Sequence, residues 1–180
     1  MSRNVEIKAR LQQPELDGVV LRAKTLATTD PVELHQDDTF FGCANGRLKL
    51  RVCSNSDAEL VFYQRDDQHR TGPKLSNYSR VRVVEPDALR EMLGRAYVEI
   101  GRVQKRRIVI LAGRTRIHID EVQGLGTFVE LEVVLAEEES PQAGIWEAES
   151  MMSRLGIQPA QLVAGAYIDL LAAFHSAAPR

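Results

Sequence analysis

The chain of 180 residues is 44% hydrophobic and 27% charged, with a net charge of −2 at pH 7, which is typical of one globular domain and does not favour broad nucleic-acid binding. Two cysteines, Cys43 and Cys53, argue against a disulfide framework or a cysteine zinc site and fit a reducing cytoplasm. We expect a cytoplasmic protein without a membrane partner, because no apolar run is long enough to cross a bilayer and no signal peptide is visible.

Short segments with alternating polar and apolar residues recur along the chain and predict an antiparallel sheet that is buried on one side. Successive side chains of a strand point to opposite faces, so the polar residues of each segment share one face. In chain order these polar sets are Asn4, Glu6, Lys8 and Arg10; Arg47, Lys49 and Arg51; Glu59, Tyr63 and Arg65; Lys105 and Arg107; Arg116, His118 and Asp120; and Glu130 and Glu132.

Four amphipathic helices are predicted among the strands, each opened by a proline. The prolines are Pro14, Pro86, Pro141 after the capping Ser140, and Pro159. We expect the third helix to end at Gly156 and the fourth to carry Leu162, Val163 and Tyr167 on its apolar stripe. Helices that cover the apolar face leave the charged face inside, which predicts an α+β fold whose sheet closes into a barrel that holds water and ligand.

The charges of these strand faces are segregated by sign, whereas solvent-exposed faces usually mix the two signs. Arg47, Lys49 and Arg51 form a purely basic face, and Glu130 with Glu132 forms an acidic one. Because the strand faces of Arg51, Lys105 and Arg107 carry no residue of opposite charge, we expect these cations to bind phosphate oxygens. Removal of one of several crowded cations is then expected to relieve repulsion. A basic lining beside a small acidic cluster suits a polyanion bound with a divalent metal, because carboxylates hold the cation while Arg and Lys neutralise phosphate oxygens.

The chain resembles the CYTH proteins, a family of triphosphate tunnel metalloenzymes named after a class IV adenylyl cyclase and thiamine triphosphatase. The matching segments are 4–8 for the E-x-E-x-K signature, 38–41 for D-x-Y-F, 48–51 for L-R-x-R, Arg65 for the Lys or Arg that ends the next strand, 105–107 for K-x-R, 120–132 for D-x-V-x-x-L-G-x-F-x-E-x-E and 166–171 for Y-x-D-L-L. Because order and spacing match over nearly the whole chain, residues 1–180 are identified as a single domain of this family.

The resemblance implies an antiparallel barrel of about eight strands that forms a tunnel, a requirement for Mg²⁺ or Mn²⁺, and a substrate that bears a triphosphate. Glu6, Glu130 and Glu132 are the metal candidates, and Asp120 is a further candidate for the metal or for holding a base. The alternative for each of them is an ion pair with a neighbouring cation of the tunnel. Asn4 stands where the family usually has the first Glu of its signature. Since a neutral amide binds a divalent ion less strongly than a carboxylate, we expect reduced metal affinity or metal number.

The phosphate candidates are cations on the strand faces, because Arg offers a planar fork and Lys a point charge. They are Lys8, Lys49, Arg51, Arg65, Lys105, Arg107 and Arg116, among which Lys8, Arg51, Lys105 and Arg107 are assigned the catalytic role of absorbing developing charge. Arg10, Arg47, Lys74, Arg80 and Arg82 are placed near tunnel mouths or in solvent. His118 is a candidate base or a structural hydrogen-bonding group. Tyr63 and Tyr78 are candidates for stacking on a base or thiamine ring, or for packing at the rim.

The resemblance implies two activities, a metal-dependent triphosphatase first and a class IV-like adenylyl cyclase second. A third function, a non-catalytic polyphosphate or nucleotide binding protein, also stays open. Water would attack in the hydrolase and the substrate's 3′-hydroxyl in the cyclase, so both reactions use the same clamp. The third function rests on Asn4, which weakens the metal site. The partner is a triphosphate-bearing small molecule (tripolyphosphate, thiamine triphosphate or a nucleoside triphosphate), with a homodimer left open.

Overall fold

Eight antiparallel strands form a closed barrel in the structure, a computed structural model that describes residues 1–55, 57–65 and 71–177. The strands are β1 (Ser2–Arg10), β2 (Val32–Phe41), β3 (Arg47–Cys53), β4 (Ala58–Arg65), β5 (Lys74–Arg82), β6 (Glu99–Ala112), β7 (Thr115–Val122) and β8 (Gly126–Val134). Their order around the barrel is β1-β5-β4-β3-β2-β6-β7-β8, and β8 pairs with β1. The predicted α+β fold with a closed barrel is confirmed.

The helices lie on the outside of the barrel and cover its apolar face. They are α1 (Gln13–Leu26), α2 (Pro86–Ala96), α3 (Pro141–Arg154) and α4 (Tyr167–Ala177). Val19 of α1 and Met151 of α3 belong to one buried cluster with Ile117 and Leu131 of the sheet, and Leu50 packs with α2 in a second cluster. None of these described helices is long and apolar enough to span a bilayer.

Strand register places the charged residues of β1, β7 and β8 side by side. Lys8 of β1 and His118 of β7 both stand opposite Glu130 of β8. Two residues further along β8, Glu132 stands opposite both Glu6 and Arg116. Since side chains of directly opposed residues share a face, this register brings the predicted metal candidates of β1 and β8 together inside the barrel.

The fourth helix begins later than predicted, so the expectation of a helix from Pro159 is wrong. Pro159–Gln161 form a short 3-10 helix, and α4 starts at Tyr167. Between them, Leu162 forms a β-bridge with Ala9, and the Val163 amide donates to the Lys8 carbonyl at 2.9 Å. Gly165 then adopts a φ of +82°, a left-handed conformation that favours glycine and stops a helix. The segment therefore satisfies its backbone against β1 and delivers Tyr167 to the end of the barrel.

Candidate active site inside the barrel

A cavity of about 130 Å³ inside the barrel collects polar side chains from all eight strands. Its lining includes every residue predicted to bind phosphate, namely Lys8, Lys49, Arg51, Arg65, Lys105, Arg107 and Arg116, and three of the metal candidates, Glu6, Glu130 and Glu132. Two further candidates, His118 and Asp120, are buried and lie next to lining residues. The structure thus brings the predicted site residues together, and the roles assigned to them stay predictions.

One side of the cavity, called here the basic wall, consists of Lys49 and Arg51 of β3 with Lys105 and Arg107 of β6. Asp38 of β2 anchors the β3 pair: it accepts a hydrogen bond from Lys49 Nζ at 2.7 Å and two from Arg51, each at 2.8 Å. Burial alone would raise the pKa of Asp38, but Arg51 and Lys49 outweigh burial and hold that pKa well below its usual range. Burial, with Arg51 nearby, lowers the pKa of Lys49 to about 8.

Asp120 of β7 anchors the β6 half of the basic wall. It accepts from Lys105 Nζ at 2.9 Å, from Arg107 at 2.6 and 2.5 Å, and from the Tyr167 hydroxyl at 2.9 Å. The Asp120 side chain is fully buried, and Arg107 and Lys105 hold its pKa well below the usual range against the opposing effect of burial. Because both oxygens of Asp120 already accept hydrogen bonds, these contacts support an anchoring role better than the predicted metal or base-holding role.

The cations of the basic wall are therefore paired with carboxylates, although their own strand faces carry none, and the expected repulsion between them is offset. The partners do not lie on the basic strands themselves but on their neighbours, Asp38 on β2 and Asp120 on β7. Two carboxylates hold four cations, so the guanidinium forks are fixed in place while an excess of positive charge still faces the cavity. In the sequence Asp38 matches a family motif, but its anchoring role is not predicted, because its partners become apparent only once strand order is known.

The opposite side of the cavity, called here the acidic wall, consists of Glu6, Glu130 and Glu132 with the neighbouring Asn4 and His118. Glu6 is paired with Arg65, and burial raises the pKa of Glu6. Glu130 accepts from Arg107 at 2.5 Å and lies 3.4 Å from Lys8 Nζ. Burial opposes ionisation of Glu130, but Lys8, Lys105 and Arg107 outweigh it and hold its pKa well below the usual range. Glu130 is thus an anion that links the two walls.

The acidic wall fits a divalent cation, as its donor atoms show. Among the described residues, single ligand atoms of His118, Glu130 and Glu132 all lie within 4.8 Å of one another, a spacing that one ion with bonds of about 2.0–2.6 Å can bridge. His118 Nδ1 and Asn4 Oδ1 are both buried without a hydrogen-bond partner, which costs about 1–3 kcal/mol for each such group. Burial and Arg107 lower the pKa of His118 well below its usual range, so its imidazole is neutral.

The segment before α4 closes one end of the cavity against the cations. Lys8 Nζ donates to the Gly165 carbonyl at 2.9 Å, and the ammonium groups of Lys8 and Lys105 lie 4.0 and 4.8 Å from the Tyr167 ring centroid. Arg47 forms a two-pronged ion pair with Asp169, with distances of 3.0 and 2.7 Å. In the sequence Tyr167 fits the apolar stripe of a helix as well as the Y-x-D-L-L motif, and neither pattern predicted that it lines the cavity.

The residues placed near tunnel mouths divide into two groups. Arg80 lines the cavity from an exposed position and pairs with Glu59 at 3.4 Å, while Lys74 is half-buried and stands opposite Glu6 in the register. Arg10 and Arg82 are exposed, and the Arg10 guanidinium lies 4.8 Å from the ring centroid of Phe128.

The two aromatic candidates, Tyr63 and Tyr78, both line the cavity and stand opposite each other on β4 and β5. Lys49 Nζ lies 5.7 Å from the Tyr63 ring centroid. The pair therefore offers ring faces beside the basic wall, a position from which either could contact the organic part of a phosphorylated ligand.

The chain is similar in sequence and in fold to known proteins. The model of the CYTH domain family matches residues 2–167. The chain is 26% identical over 175 residues to adenylate cyclase CyaB from Aeromonas hydrophila, covering 92% of this chain and 87% of that protein. The PH1012 structure from Pyrococcus horikoshii superposes with a TM-score of 0.80 at 20% identity, covering 95% of this chain and 99% of that one. HpAC1 from Hippeastrum, named for adenylyl cyclase and described as having a dominant triphosphatase activity, has a TM-score of 0.68 at 13% identity and 96% coverage of both chains.

Proposed function

Because the chain belongs to the CYTH domain family, we propose that it is an enzyme that hydrolyses a triphosphate substrate inside the barrel with the help of a divalent metal. The observation that carries this proposal is the pair of facing walls. Four cations of the basic wall are fixed by two buried carboxylates, and an acidic wall that fits a divalent ion lies across from them. A polyanion with a metal ion is the ligand that satisfies both walls at once.

The cations are proposed to hold the phosphate chain and to absorb the charge that develops on it. Lys8, Arg51, Lys105 and Arg107 are assigned this catalytic role, and Lys49, Arg65 and Arg116 are assigned to substrate binding. Phosphoryl transfer depends mainly on positioning and charge neutralisation, and donors that are already fixed need no reorganisation during the reaction. The anchoring of Arg51 by Asp38 and of Arg107 by Asp120 supports this role.

Mg²⁺ or Mn²⁺ is the proposed metal, held by Glu6, Glu130 and Glu132. When bound there, the ion supplies charge neutralisation on phosphate oxygens. Glu130 is suited to this position because Arg107 orients one of its oxygens at 2.5 Å, as outer partners orient metal-binding carboxylates generally. Asn4 lines the same cavity with an unpartnered amide oxygen, which leaves one carboxylate fewer than the family signature supplies.

The second candidate function is an adenylyl cyclase that makes cyclic AMP from ATP. The tyrosine pair Tyr63 and Tyr78 favours it, because these rings line the cavity where a base could stack. Similarity to the Aeromonas cyclase points the same way, whereas the dominant triphosphatase activity described for HpAC1 favours hydrolysis. The partner in both cases is a triphosphate-bearing small molecule, and cytoplasmic localisation, a homodimer and the absence of nucleic-acid and membrane partners stay predictions.

The test is to incubate the purified protein with tripolyphosphate, thiamine triphosphate or ATP, each with Mg²⁺ or Mn²⁺, and to measure phosphate and cyclic AMP. Phosphate release supports the hydrolase, and cyclic AMP without phosphate release supports the cyclase. In parallel, tripolyphosphate should raise the melting temperature, because ligand at a hundred times its Kd stabilises the native state by about 2.7 kcal/mol. A raised melting temperature without turnover would identify a binding protein, and an unchanged one with no product would refute all three functions.

A further inference from the structure

A buried imidazole lies at the centre of the acidic wall, at a position that the proposed phosphate chemistry does not use. His118 stands opposite Glu130 in the β7–β8 register, and its side chain is 5% exposed. Its Nδ1 atom has no hydrogen-bond partner. The nearest carboxylate oxygen, Glu132 Oε1, is 3.6 Å away, which is beyond the range of a hydrogen bond.

A structural role for His118 does not account for this geometry. A histidine kept in a core for its hydrogen bonds has them satisfied, because an unpaired buried polar nitrogen costs about 1–3 kcal/mol. Here Nδ1 is unsatisfied although two carboxylates lie beside it, and one ligand atom of each residue lies within 4.8 Å of the others. The gap between His118 and Glu132 is too long for a shared proton, whereas a shared cation with bonds of about 2.0–2.2 Å spans it.

Neighbouring cations orient the carboxylates of Glu130 and Glu132, and the distance of 3.6 Å between Glu132 and His118 remains. Arg107 contacts Glu130 Oε2 at 2.5 Å, and Lys8 Nζ lies 3.4 Å from Glu130 Oε1. In Glu132, Oε2 lies 3.5 Å from Arg116, and the other oxygen, Oε1, is the one that faces His118. Outer partners that orient a carboxylate in this way are typical of metal ligands.

We infer that His118 Nδ1 is a direct ligand of the divalent ion and that the site selects Mn²⁺ over Mg²⁺. The inference rests on the proposed metal-dependent function and deepens it by naming a ligand and a metal preference. Mg²⁺ takes oxygen ligands almost exclusively, whereas Mn²⁺, which shares the preference for oxygen, is a first-row transition metal and also accepts an imidazole nitrogen. Asn4 shifts the site in the same direction, because it replaces a carboxylate, the ligand type that Mg²⁺ favours, with a neutral amide.

The experiment binds Mn²⁺ alone to the full chain and uses pulsed electron paramagnetic resonance to detect coupling to a directly bonded nitrogen. Mn²⁺ affinity and its displacement by Mg²⁺ are measured on the same samples. The variant is His118→Gln, which keeps a polar group and removes the nitrogen ligand. The matched control is His35→Gln, because His35 is 68% exposed on β2. Melting temperatures establish that both variants are folded.

The wild type and His35→Gln should show the nitrogen coupling, and His118→Gln should lose it. Mn²⁺ affinity of His118→Gln should fall by at least about tenfold, with a smaller change for Mg²⁺, so that the preference shrinks. Mn²⁺ bound to the wild type without nitrogen coupling would overturn the inference, as would coupling that persists in folded His118→Gln. Because the wild-type spectrum needs no variant, the inference is testable even if His118→Gln does not fold.

The two proposals can fail separately. Nitrogen coupling in a protein that releases no phosphate from tripolyphosphate, thiamine triphosphate or ATP supports the metal ligand and refutes the hydrolase. Phosphate release without Mn²⁺ binding, or with Mn²⁺ bound through oxygen alone, refutes the ligand and leaves the hydrolase in place.

Discussion

The basic and acidic walls of the cavity differ in how completely their buried charged and polar groups are paired. In the basic wall each buried carboxylate is shared by two cations: Asp38 by Lys49 and Arg51, and Asp120 by Lys105 and Arg107. Every one of these ion pairs is 2.9 Å or shorter. This wall is therefore complete without a ligand, and its donors are in position before any phosphate arrives.

The acidic wall is not complete in this sense. His118 Nδ1 and Asn4 Oδ1 are buried without partners, and the contacts of Glu132 with Arg116 and His118 are 3.5 and 3.6 Å long. Such unsatisfied groups are unfavourable in the free protein and become favourable when a ligand contacts them. The comparison indicates that the basic wall contributes preorganisation, while the acidic wall contributes a binding site that an ion completes.

The largest expected effect is on stability, from Asp38→Asn compared with Asp37→Asn. These neighbours on β2 both form two-pronged ion pairs, Asp38 with Arg51 and Asp37 with Arg102, but Asp38 and Arg51 are 3% and 17% exposed, whereas Asp37 and Arg102 are 23% and 50% exposed. Breaking a buried pair costs about 3–5 kcal/mol because a buried charge is left unpaired, whereas an exposed pair is worth about 1 kcal/mol or less. Urea unfolding of both variants measures the two changes.

Unfolding measured in the presence of tripolyphosphate extends this first prediction. In Asp38→Asn the ligand should recover more stability than in the wild type, because its anionic oxygens replace the missing carboxylate beside Lys49 and Arg51. Equal destabilisation of the two variants would show that Asp38 is no stronger an anchor than a surface residue, and the proposed preorganisation of the basic wall would be refuted.

The second prediction concerns turnover in Arg107→Ala compared with Arg106→Ala. Arg107 is buried on the basic wall, while Arg106 points outward from the same strand and pairs with Glu33 at 2.7 Å. Removing one preorganised donor from a site of developing charge costs about a hundredfold to a thousandfold in rate, so Arg107→Ala should lose that much phosphate release. Arg106→Ala should keep wild-type turnover, and a similar loss in both variants would contradict the catalytic assignment.

Stability of Arg107→Ala is expected to fall, which corrects the expectation that removing a cation relieves repulsion. The correction comes from Asp120, whose buried carboxylate loses a two-pronged partner in this variant. Alternation along β6 showed that Arg107 faces inward, but the register that pairs it with Asp120 of β7 is a property of the assembled sheet. Sequence periodicity therefore predicts which face a residue occupies and does not predict its partner across strands.

Elements of the fold that depend on local sequence patterns were predicted correctly, whereas contacts between distant parts of the chain were missed. The β7–β8 hairpin follows from alternation around the Gly124–Gly126 turn, because both signals are local. The start of α4 was missed because the apolar residues of 162–166 fit a helical stripe equally well. Their pairing with β1 depends on a strand more than a hundred and fifty positions earlier. The contact of Tyr167 with Asp120 was missed for the same reason.

The third prediction tests the acidic wall through Glu132→Gln, with Glu121→Gln as the control. Glu132 lies 3.6 Å from His118 inside the barrel, whereas Glu121 is exposed on β7. An amide binds a divalent ion less strongly than a carboxylate, so the metal concentration for half-maximal activity should rise by at least about tenfold, and excess Mn²⁺ should restore part of the activity. A loss of activity that no metal concentration restores would indicate a purely structural role for Glu132.

The smallest expected effect is the pH dependence of the basic wall through Lys49. Burial and Arg51 lower its pKa to about 8, below its value of about 10.4 in the unfolded chain. As pH rises through 8 the free protein loses this charge, so the Kd for tripolyphosphate should rise, by up to about tenfold at pH 9. The free energy of unfolding of the ligand-free protein should increase over the pH range in which tripolyphosphate binding weakens. Between pH 8 and about 10.4 the unfolded chain binds more protons at this residue, so its contribution to stability increases with pH.

Lys49→Arg separates this titration from that of the ligand itself. A guanidinium stays charged throughout the range. The dependence of Kd on pH in the variant therefore reflects titration of the ligand and of all other protein groups. The difference between the wild-type and variant profiles reflects titration of Lys49. Calorimetric titration with tripolyphosphate from pH 7 to pH 9.5 measures both. Parallel profiles would mean that Lys49 stays charged or does not contact phosphate. In that case Asp38 would anchor Arg51 for binding while Lys49 serves to balance the buried carboxylate at 2.7 Å.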